Sequence, residues 1–595
     1  MTDPRAVYAQ RLSERQQNLR QEDRRHRTLG NFRLLTFVFL AIVLWFAIAR
    51  QTIRLGWAVP PLAVFIALLV RHQAVLQRRQ LAQRAVDYYT RGVARLDGHL
   101  LPPVECGERF TNSGHPYTAD LDIFGAGSLF ELLSTARTRA GEDTLARWLQ
   151  SPAEASVIKA RQQAVEELRG KLDLREDLAV LGEDFRAGVH PEALRAWGLA
   201  PREHFPAWAR PVARVLSVIA LGLVVAFAGT LFVNIPVRLA LIAVGAIEAA
   251  FFYRFRQSAQ AIAEAAGEPG HDLSLLSSVL RRMEDEQFSA PLLREIRAAL
   301  DSAGEPPSRR IARLATRIEM LDSRDNVFVR VFGPVLLWTT QLAFSIDQWR
   351  AESGAAVPRW LAAVGQFEAL SSLAAYAFEH PAYPFPEIVA GEALYHGTGL
   401  AHPLLPASAI PNDVHLDARA TRLFLVSGSN MSGKSTLLRT VGVNAVLAQA
   451  GSVVRAVSLR LSPLSVGASL RATDSLQGGT SRFYAEIQRL RHILELPEPV
   501  LFLLDELLAG TNSHDRRIGA EGVIRGLLAR ASIGCVTTHD LALASIADAL
   551  APAAANVHFE DYLEQGSIAF DYHMRPGVVT RSNALELMRA VGLPL

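Results

Sequence analysis

The pattern of hydrophobic and polar positions divides the chain into three kinds of region. These are two pairs of long apolar runs, segments with apolar residues at helical spacing, and a C-terminal region in which strand-like and helix-like segments alternate. Leu34–Ala49 and Leu55–Val70 are uncharged apolar runs, separated by a short segment that contains Arg50 and Arg54. Each run would extend about 24 Å as a helix, slightly less than a hydrocarbon core of about 30 Å. Flanking arginine side chains can make up the difference by extending their charged ends to the membrane interface. This pattern predicts a first transmembrane hairpin, with spans at about 34–49 and 55–70, inside an N-terminal region of residues 1–100.

Basic residues flank both outer ends of this predicted hairpin. Eight arginines and four acids precede the first run, and Arg71, Arg78, Arg79 and Arg84 follow the second without an intervening acid. Because positively charged flanks stay on the cytoplasmic side, both ends of the hairpin are predicted to be cytoplasmic. A cleaved signal peptide and a pair of buried soluble helices are the alternatives. The long polar leader and the immediate second run argue against cleavage.

A second pair of apolar runs lies at 215–233 and 235–253, in a region of residues 211–256. The first run has no charge, whereas the second contains Arg238 near the turn and Glu248 near its end. The pair predicts a second transmembrane hairpin, with a buried core hairpin as its alternative. The run Val331–Phe344 is too short to span a bilayer and predicts a buried helix, so four spans are expected.

The other regions predict two kinds of structure. Apolar residues at helical spacing occupy 101–210 and 257–380, which predicts a helical core and a helical lever. From 381 to 595, short β-type runs alternate with helical ones, as in a layered α/β domain. The predicted fold class is therefore a C-terminal α/β domain preceded by an all-α region with two transmembrane helical hairpins.

Composition restricts the functional classes. Of 595 residues, 50% are hydrophobic and 20% are charged, which excludes a disordered chain. The formal net charge of +3 gives no global basic excess that would demand nucleic acid. Cys106 and Cys535 lie far apart in the sequence, which excludes a disulfide framework and a cysteine metal cluster and fits a reducing cytoplasm.

A phosphate-binding loop follows the apolar run Leu423–Val426. Residues 428–436 fit the pattern G-x-x-x-x-G-K-[ST], and a helical stretch comes directly afterwards. In such a loop the glycines let backbone N–H groups surround phosphates, and the lysine reaches the β- and γ-phosphates. The predicted nucleotide-binding residues are Gly428, Ser429, Asn430, Met431, Ser432, Gly433, Lys434, Ser435 and Thr436.

A second apolar run, Val500–Leu504, ends in Asp505 and Glu506. Asp505 is predicted to hold Mg²⁺ together with the Ser435 hydroxyl, because Mg²⁺ takes few protein oxygens beside phosphate and water. Glu506 is predicted to orient or deprotonate the attacking water. The two runs together predict a nucleotide hydrolase that uses ATP and Mg²⁺.

Three further segments carry possible phosphate-site chemistry. The loop Asp474–Ser481 has the composition of a segment that begins a helix and presents N–H groups and a hydroxyl to a phosphate. In ATPases of the ABC type, which it resembles, such a loop lies too far from its own phosphate loop and completes the site of a second subunit. Gly510–Asp515 would lie at the seam of that dimer. His539 follows an apolar strand and is predicted to sense the γ-phosphate. Hydrolysis would therefore require a homodimer.

These motifs resemble the MutS family of DNA mismatch repair ATPases. Inside the phosphate loop, Asn430-Met431 is typical of that family, and Asp474–Phe483 is similar to its signature loop. The remaining matches are Asp505-Glu506, Gly510–Ser513, Thr538-His539 and Asn583–Pro594. The resemblance implies an ABC-type P-loop ATPase domain, and it places Ser481 where a serine reaches the nucleotide of the opposing subunit. The implied catalytic set is Lys434, Ser481, Glu506 and His539.

The resemblance extends outside the ATPase domain, over roughly 105–205 and 310–595. It includes Gly127–Thr138, Arg161–Val165, Glu368–Leu373 and Asn412-Asp413. The first 100 residues contain no Phe-x-Glu, so the family's N-terminal mismatch-reading domain is expected to be absent. The signature loop also departs from the family, with Gly478 and Thr480 where mismatch-repair members usually carry Ser and Arg.

The expected function is that of a membrane-anchored, MutS-like ATPase that couples ATP hydrolysis by a homodimer to conformational change. Double-stranded DNA and the lipid bilayer are the other expected partners, in mismatch repair or a related response to DNA damage. The basic clusters Arg281-Arg282 and Arg309–Arg313 predict either contacts with the phosphate backbone or a solvated helix face. The expected location is a bacterial-type inner membrane, multi-pass, with the ATPase domain on the cytoplasmic side. An ATP-controlled membrane scaffold without DNA binding and an ABC-type transporter subunit are the alternatives.

Overall fold

The structure is a computed structural model of the whole chain, and it divides into two compact units. Unit 1 comprises residues 1–135, 145–176 and 370–595, and unit 2 comprises residues 136–144 and 177–369. The residues that the structure describes are 3–99, 101, 105–182, 191–201, 205–229, 235–300, 304–323, 333–429, 431–470, 482–508, 511–539, 541–564 and 567–579.

Seventeen α-helices and ten β-strands occur in these described residues. The helices are α1 Pro4–Ile48, α2 Val59–Leu96, α3 Leu129–Leu133, α4 Arg139–Gln150, α5 Ala155–Gly170, α6 Leu172–Leu181, α7 Pro191–Leu199, α8 Ala209–Gly229, α9 Ile235–Glu284, α10 Pro291–Leu300, α11 Pro307–Asp322, α12 Trp338–Ser353, α13 Val357–Glu379, α14 Lys434–Ala450, α15 Arg482–Leu494, α16 Ser513–Leu528 and α17 Leu541–Ala549. The strands are β1 Glu387–Ile388, β2 Leu394–Leu400, β3 Asn412–Asp417, β4 Leu423–Ser427, β5 Ser458–Leu461, β6 Ser465–Ser469, β7 Val500–Leu504, β8 Ser532–Thr538, β9 Ala554–Glu564 and β10 Ser567–Pro576.

The C-terminal part of unit 1 is built on a six-stranded sheet with the order β10-β9-β4-β8-β7-β6. All its pairs are parallel except β9–β10. Every residue of β7 and β8 is buried, as expected for central strands covered on both faces. Because β4, β7 and β8 are parallel neighbours, the segments that follow them meet at one edge of the sheet. This arrangement confirms the predicted C-terminal α/β domain and the helical region before it.

A smaller four-stranded sheet, with the order β1-β5-β2-β3, belongs to the same unit. Helix α14 packs between the two sheets and is buried along most of its length. Its polar Asn444 is satisfied, since the amide donates to Ala401 O at 3.0 Å and accepts from Arg455 N at 3.0 Å. These bonds tie the phosphate-loop helix to the segment that follows β2.

Helices α1 and α2 pack along each other, and their polar ends are anchored within unit 1. The Tyr8 hydroxyl and the Arg95 guanidinium both donate to Glu379, and a Cβ at Gly92 would lie 2.8 Å from the Tyr8 ring. Arg15 makes a second ion pair, with Glu176 at 2.5 Å. In contrast, the apolar side chains between positions 34 and 70 are largely exposed, with Leu35, Trp45 and Trp57 all more than 60% accessible.

Five stretches are long and apolar enough to cross a membrane by length and composition. They are Pro4–Ile48, Leu55–Leu96, Ala209–Gly229, Ile235–Gly267 and Trp338–Glu379. In the first four, most of the apolar window is exposed, whereas 78% of the window in Trp338–Glu379 is buried. The last stretch is therefore a core element. The run Val331–Phe344, predicted as a buried helix, is helical from Trp338 onward, and the residues before it that the structure describes form turns. The transmembrane hairpins stay a prediction.

In unit 2, the buried Glu368 on α13 binds the backbone of the segment just before α4. Its carboxylate accepts from the backbone N–H groups of Arg137 and Thr138 and from the Thr138 hydroxyl. The approach is close, because a Cβ at Gly141 would lie 2.2 Å from Glu368 Oε2. Burial nevertheless outweighs these hydrogen bonds and raises the pKa of Glu368 to about 7.

The raised pKa of Glu368 makes the stability of unit 2 depend on pH. Between pH 4.5 and 7 the folded state holds a proton that the unfolded state has released, so the free energy of unfolding falls as pH rises across this window. We expect Glu368→Gln to remove most of this dependence, which amounts to about 3 kcal/mol at most.

Thermal melts at pH 5 and pH 8 measure the effect of Glu368→Gln. The exposed Glu319→Gln on α11 is the control and should keep the dependence of the parent chain. If the melting temperatures of Glu368→Gln at pH 5 and pH 8 differed as much as those of the parent chain, the pH dependence would belong to other groups.

Candidate active site

The phosphate loop connects β4 to α14 through two glycines in conformations that other residues avoid. Gly428 has φ +146° and Gly433 has φ +107°. A Cβ at Gly428 would lie 2.9 Å from Ser432 Oγ and 3.0 Å from Phe559 O, so the turn admits only glycine. The loop thus directs the N-terminus of α14, and its unpaired N–H groups, across the end of the sheet.

Lys434 is folded back onto this loop and is 5% exposed. Its ammonium donates to Gly428 O at 2.9 Å and to Ser429 O at 2.7 Å. Burial lowers the pKa of Lys434, while the nearby carboxylates of Asp505 and Glu506 act in the opposite direction. The positive charge is therefore held where the phosphates of a nucleotide would lie.

Two hydroxyl groups make the loop suitable for a phosphate. Ser429 Oγ and Ser432 Oγ are buried and have no hydrogen-bond partner among the described residues. Buried polar groups are seldom left unpaired, and both hydroxyls can donate to phosphate oxygens. Together with the Lys434 ammonium and the α14 N-terminus, they form a donor set that fits the phosphates of ATP.

The acidic pair lies at the end of β7, beside the end of β8. Thr537 connects the two carboxylate residues, because its hydroxyl donates to Asp505 Oδ1 and accepts from Glu506 N at 3.0 Å. Glu506 itself has φ +48°, and Leu508 has φ +54°. Such backbone strain in residues other than glycine costs about 1–3 kcal/mol and is typical of functional sites.

His539 joins Glu506 to the phosphate loop. Its Nε2 lies 2.6 Å from Glu506 Oε1, and its Nδ1 lies 3.0 Å from Gly428 O. Since the carbonyl oxygen can only accept, Nδ1 carries a proton. The contact at Nε2 holds the imidazole against the Glu506 carboxylate, so His539 fixes the position of that carboxylate beside the phosphate loop.

The same residues fit a magnesium ion only when phosphate is also present. Among the described residues, no group of three or more His, Cys, Asp and Glu side chains could hold a metal. Asp505 and Ser435 remain the candidate protein ligands, both partly accessible at the loop. Mg²⁺ commonly takes one or two protein oxygens and completes its shell with phosphates and water. The pair suits that mode of binding.

A cavity of about 550 Å³ opens beside the phosphate loop, and sequence reasoning missed it. Its wall is mostly apolar, and its volume suits a nucleoside. The cavity is lined by Leu400, Ala401, His402, Leu405, Pro406, Ser408, Ala409, Ile410, Asn412, Met431, Gly433, Thr436, Leu437, Thr440, Phe559 and Tyr572. Only Asn412 and the loop residues in this set were singled out from the sequence, because the others carry no recognisable motif.

Two polar side chains shape the cavity wall. Arg455 donates to the carbonyl oxygens of His402 at 2.8 Å and Pro406 at 2.7 Å, which holds the segment after β2 in place. Burial, with a contribution from Arg439, lowers the pKa of His402 to about 4. His402 is therefore neutral at physiological pH and presents no positive charge to a base.

The structure brings together Lys434, Asp505, Glu506 and His539 around the loop. Met431 is 85% exposed at the mouth of the cavity, with φ +67°. Asn430, the whole signature loop Asp474–Ser481 and Gly510 lie outside the described residues. The contacts of the Thr537 hydroxyl and the contact between His539 and Glu506 were not predicted.

Comparison with protein families matches two parts of the chain. Residues 424–595 match MutS domain V, and residues 115–222 match MutS domain III. These two matches, together with the similar proteins below, support the MutS family and the ATPase assignment of the C-terminal α/β domain.

Several curated proteins are similar over a limited region. A protein named DNA mismatch repair protein MutS 2 from Halobacterium salinarum is 36% identical over 252 residues, covering 41% of this chain and 28% of that protein. DNA mismatch repair protein msh3 from Aspergillus terreus is 34% identical over 248 residues, covering 40% and 22%. Endonuclease MutS2 from Thermus thermophilus is 33% identical over 251 residues, covering 40% and 31%. The matched region spans less than a third of each of these relatives.

Proposed function

We propose that this chain is a membrane-anchored, MutS-type ATPase that binds and hydrolyses ATP as a homodimer and transmits the resulting change to double-stranded DNA. The observation that carries the proposal is the convergence of four groups at one edge of the sheet. These are the phosphate loop with Lys434, the Asp505-Glu506 pair, His539 and the adjacent nucleoside-sized cavity.

In this proposal the chain's own groups divide the work of hydrolysis. Lys434 and the N-terminus of α14 neutralise phosphate charge. Glu506 accepts a proton from the attacking water, and His539 orients its carboxylate through the 2.6 Å contact. Thr537 holds Asp505, which together with Ser435 binds Mg²⁺, and that ion would supply further neutralisation of the phosphates.

The homodimer is proposed from the resemblance of the loop that ends at Ser481 to the signature loop of the MutS family. In the proposal Ser481 contacts the γ-phosphate of the ATP that the partner subunit binds. His539 of the subunit that binds this ATP lies on the other side of the same phosphate. The resulting site is complete only when two copies are apposed. Closure of the two ATPase domains on ATP would then be coupled to the helices of unit 2.

Binding of DNA is proposed from the similarity to mismatch repair proteins. Two arginines of the expected basic clusters are paired with acids. Arg282 contacts Asp177 and Glu286, both at 2.8 Å, and Arg313 contacts Glu305 at 2.6 Å. Contacts of these clusters with the phosphate backbone would depend on salt.

The ATPase rate with and without duplex DNA tests this function. We expect duplex DNA to raise the rate of the purified, detergent-solubilised chain, and we expect the stimulation to fall steeply between about 50 and 200 mM salt. A duplex with one mismatch, compared with a perfect duplex, measures mismatch recognition. A rate that is insensitive to DNA at low salt would favour an ATP-controlled membrane scaffold.

Membrane anchoring is proposed from the exposed apolar surface of α1 and α2. Val38 and Ile42 lie one turn apart on α1 and are 48% and 49% exposed. We expect the chain to remain with membranes after alkaline extraction and to require detergent for release. Replacing Val38 and Ile42 together with Arg should reduce this retention severalfold, because each Arg costs about 2.5–3.5 kcal/mol at the centre of a membrane helix.

The exposed Val157 on α5 offers a matched control. It is 41% accessible and lies outside both apolar pairs, so Val157→Arg should leave membrane retention unchanged. Recovery of the unmodified chain in the aqueous fraction after alkaline extraction would contradict the anchoring proposal while leaving the ATPase proposal untouched.

A further inference from the structure

A second cavity, of about 570 Å³, lies within unit 2 and is separate from the ATPase site. One wall is a single face of α9, with Gly245, Glu248, Ala249 and Phe252 at helical spacing. The other wall is the turn that leads into α12 and the first residues of that helix, including Trp338 and Thr340. The proposed ATPase mechanism uses none of these residues.

Two buried polar atoms of the cavity lining have no hydrogen-bond partner among the described residues. Glu248 is 7% exposed and its Oε1 has no hydrogen-bond partner among the described residues, and the same holds for Thr340 Oγ1, at 1% exposure. A buried carboxylate without a partner costs several kcal/mol, and apolar or amide side chains would fill the same space without that penalty. A charge retained in an apolar helix is by default a functional feature.

The walls are held in place by contacts away from these two groups. An apolar cluster links α8, α9 and α12; its buried members are Ala209, Ala213, Phe251, Phe255, Leu337 and Phe344. Gln341, one residue beyond Thr340, donates to Ser217 Oγ on α8 at 2.9 Å. Both wall helices are therefore fixed by neighbours, and the cavity does not depend on Glu248 for its shape.

The chemistry of the lining selects a class of ligand. Glu248 and Thr340 both offer acceptor oxygens, and the described lining contains no Lys, Arg or His. Phe252 and Trp338 add aromatic faces, which attract cations. The rest of the lining is apolar, and the volume far exceeds that of an ammonium group. A free anion such as inorganic phosphate, which carries no cationic group, would be repelled by the carboxylate.

We propose that this cavity binds an organic ammonium group attached to an apolar body, with Glu248 as its counter-ion and Thr340 as a second acceptor. Two sources share this chemistry, namely the ethanolamine headgroup of a phospholipid and a free lipophilic amine. The proposal does not rest on ATP hydrolysis, so it can fail while the proposed function stands.

The test uses the full chain, purified and delipidated in a nonionic detergent. Dodecylamine and dodecanol have the same apolar body and differ in the ammonium group, and their binding is compared by native mass spectrometry. We expect dodecylamine to bind at least tenfold more tightly than dodecanol. This comparison needs no variant, so it stays decisive even if a substitution impairs folding. Equal binding of the two probes would overturn the proposal and identify the cavity as an apolar void.

Substitutions then test whether Glu248 and Thr340 are the groups that bind the ammonium. Glu248→Gln should lower dodecylamine affinity at least tenfold, and Thr340→Val should lower it less. Glu264→Gln, at an exposed position on the same helix, should leave it unchanged. Melting temperatures show whether each variant is folded. A folded Glu248→Gln chain that binds dodecylamine as tightly as the unmodified chain would refute the role of Glu248.

Phospholipid probes separate the two sources. Retention of dioleoylphosphatidylethanolamine over dioleoylphosphatidylglycerol, lost in Glu248→Gln, would assign the site to a lipid headgroup. Selective binding of dodecylamine without selectivity between the two lipids would assign it to a free amine. Failure of both the amine and the ethanolamine lipid to bind selectively would reject the proposal.

Discussion

Replacing Lys434 with Ala is expected to lower the rate of ATP hydrolysis by a factor of at least about 10²–10³, the loss typical when one electrostatic donor is removed from a catalytic site. The ammonium is buried against Gly428 O and Ser429 O, beside two carboxylates. Without it, the phosphates would approach Asp505 and Glu506 with their negative charge uncompensated. Nucleotide affinity should therefore fall together with turnover.

The measurement is phosphate release by the purified, detergent-solubilised chain with Mg²⁺, combined with binding of a fluorescent ATP analogue. Lys159→Ala is a suitable control, since Lys159 is exposed on α5 and lies outside the phosphate loop. If Lys434→Ala hydrolysed ATP at a rate comparable to that of the unmodified chain, residues 428–436 would not be the catalytic nucleotide site.

Glu506→Gln is expected to separate ATP binding from ATP hydrolysis. The amide keeps the size of the carboxylate but cannot accept a proton from water, so turnover should fall by about 10²–10⁴. Affinity for ATP should change little, because the Lys434 ammonium and the α14 N-terminus remain in place. In the proposed homodimer, the variant should accumulate as a closed dimer in the presence of ATP.

Single-turnover kinetics and light scattering with bound ATP measure the two effects of Glu506→Gln. Glu495→Gln, at an exposed position after α15, provides a matched loss of charge and should leave both measurements unchanged. His539→Ala should reduce turnover less than Glu506→Gln does, because His539 orients the carboxylate and does not accept the proton from water. Normal turnover in Glu506→Gln would remove Glu506 from the role of general base.

The sequence indicates the candidate site most fully where its residues lie close together in the chain. The strand, the two glycines, Lys434 and the helix after it form one continuous segment, so their spacing alone indicates a phosphate loop. The apolar strand that ends in Asp505 and Glu506 is equally local. The exposed apolar stretches of α1, α2, α8 and α9 likewise follow from uninterrupted composition.

The prediction was incomplete where distant segments meet. His539 was expected to sense a phosphate, yet its side chain also contacts Glu506, 33 residues earlier in the chain. The contacts of Thr537 were likewise not predicted, and its hydroxyl connects Asp505 with the backbone of Glu506. Both contacts arise because β7 and β8 are adjacent parallel strands in register, with Leu504 opposite Val536.

The amino-acid sequence by itself determined the phosphate loop, the acidic strand end and the four apolar stretches, because each is a pattern of neighbouring residues with its own local geometry. Only the tertiary structure decided the pairing of His539 with Glu506, the nucleoside-sized cavity built from residues 400–412, 559 and 572, and the burial of Glu248 and Thr340 in the lining of one cavity. Those features depend on strand order and helix packing, which bring together side chains that are far apart in the chain.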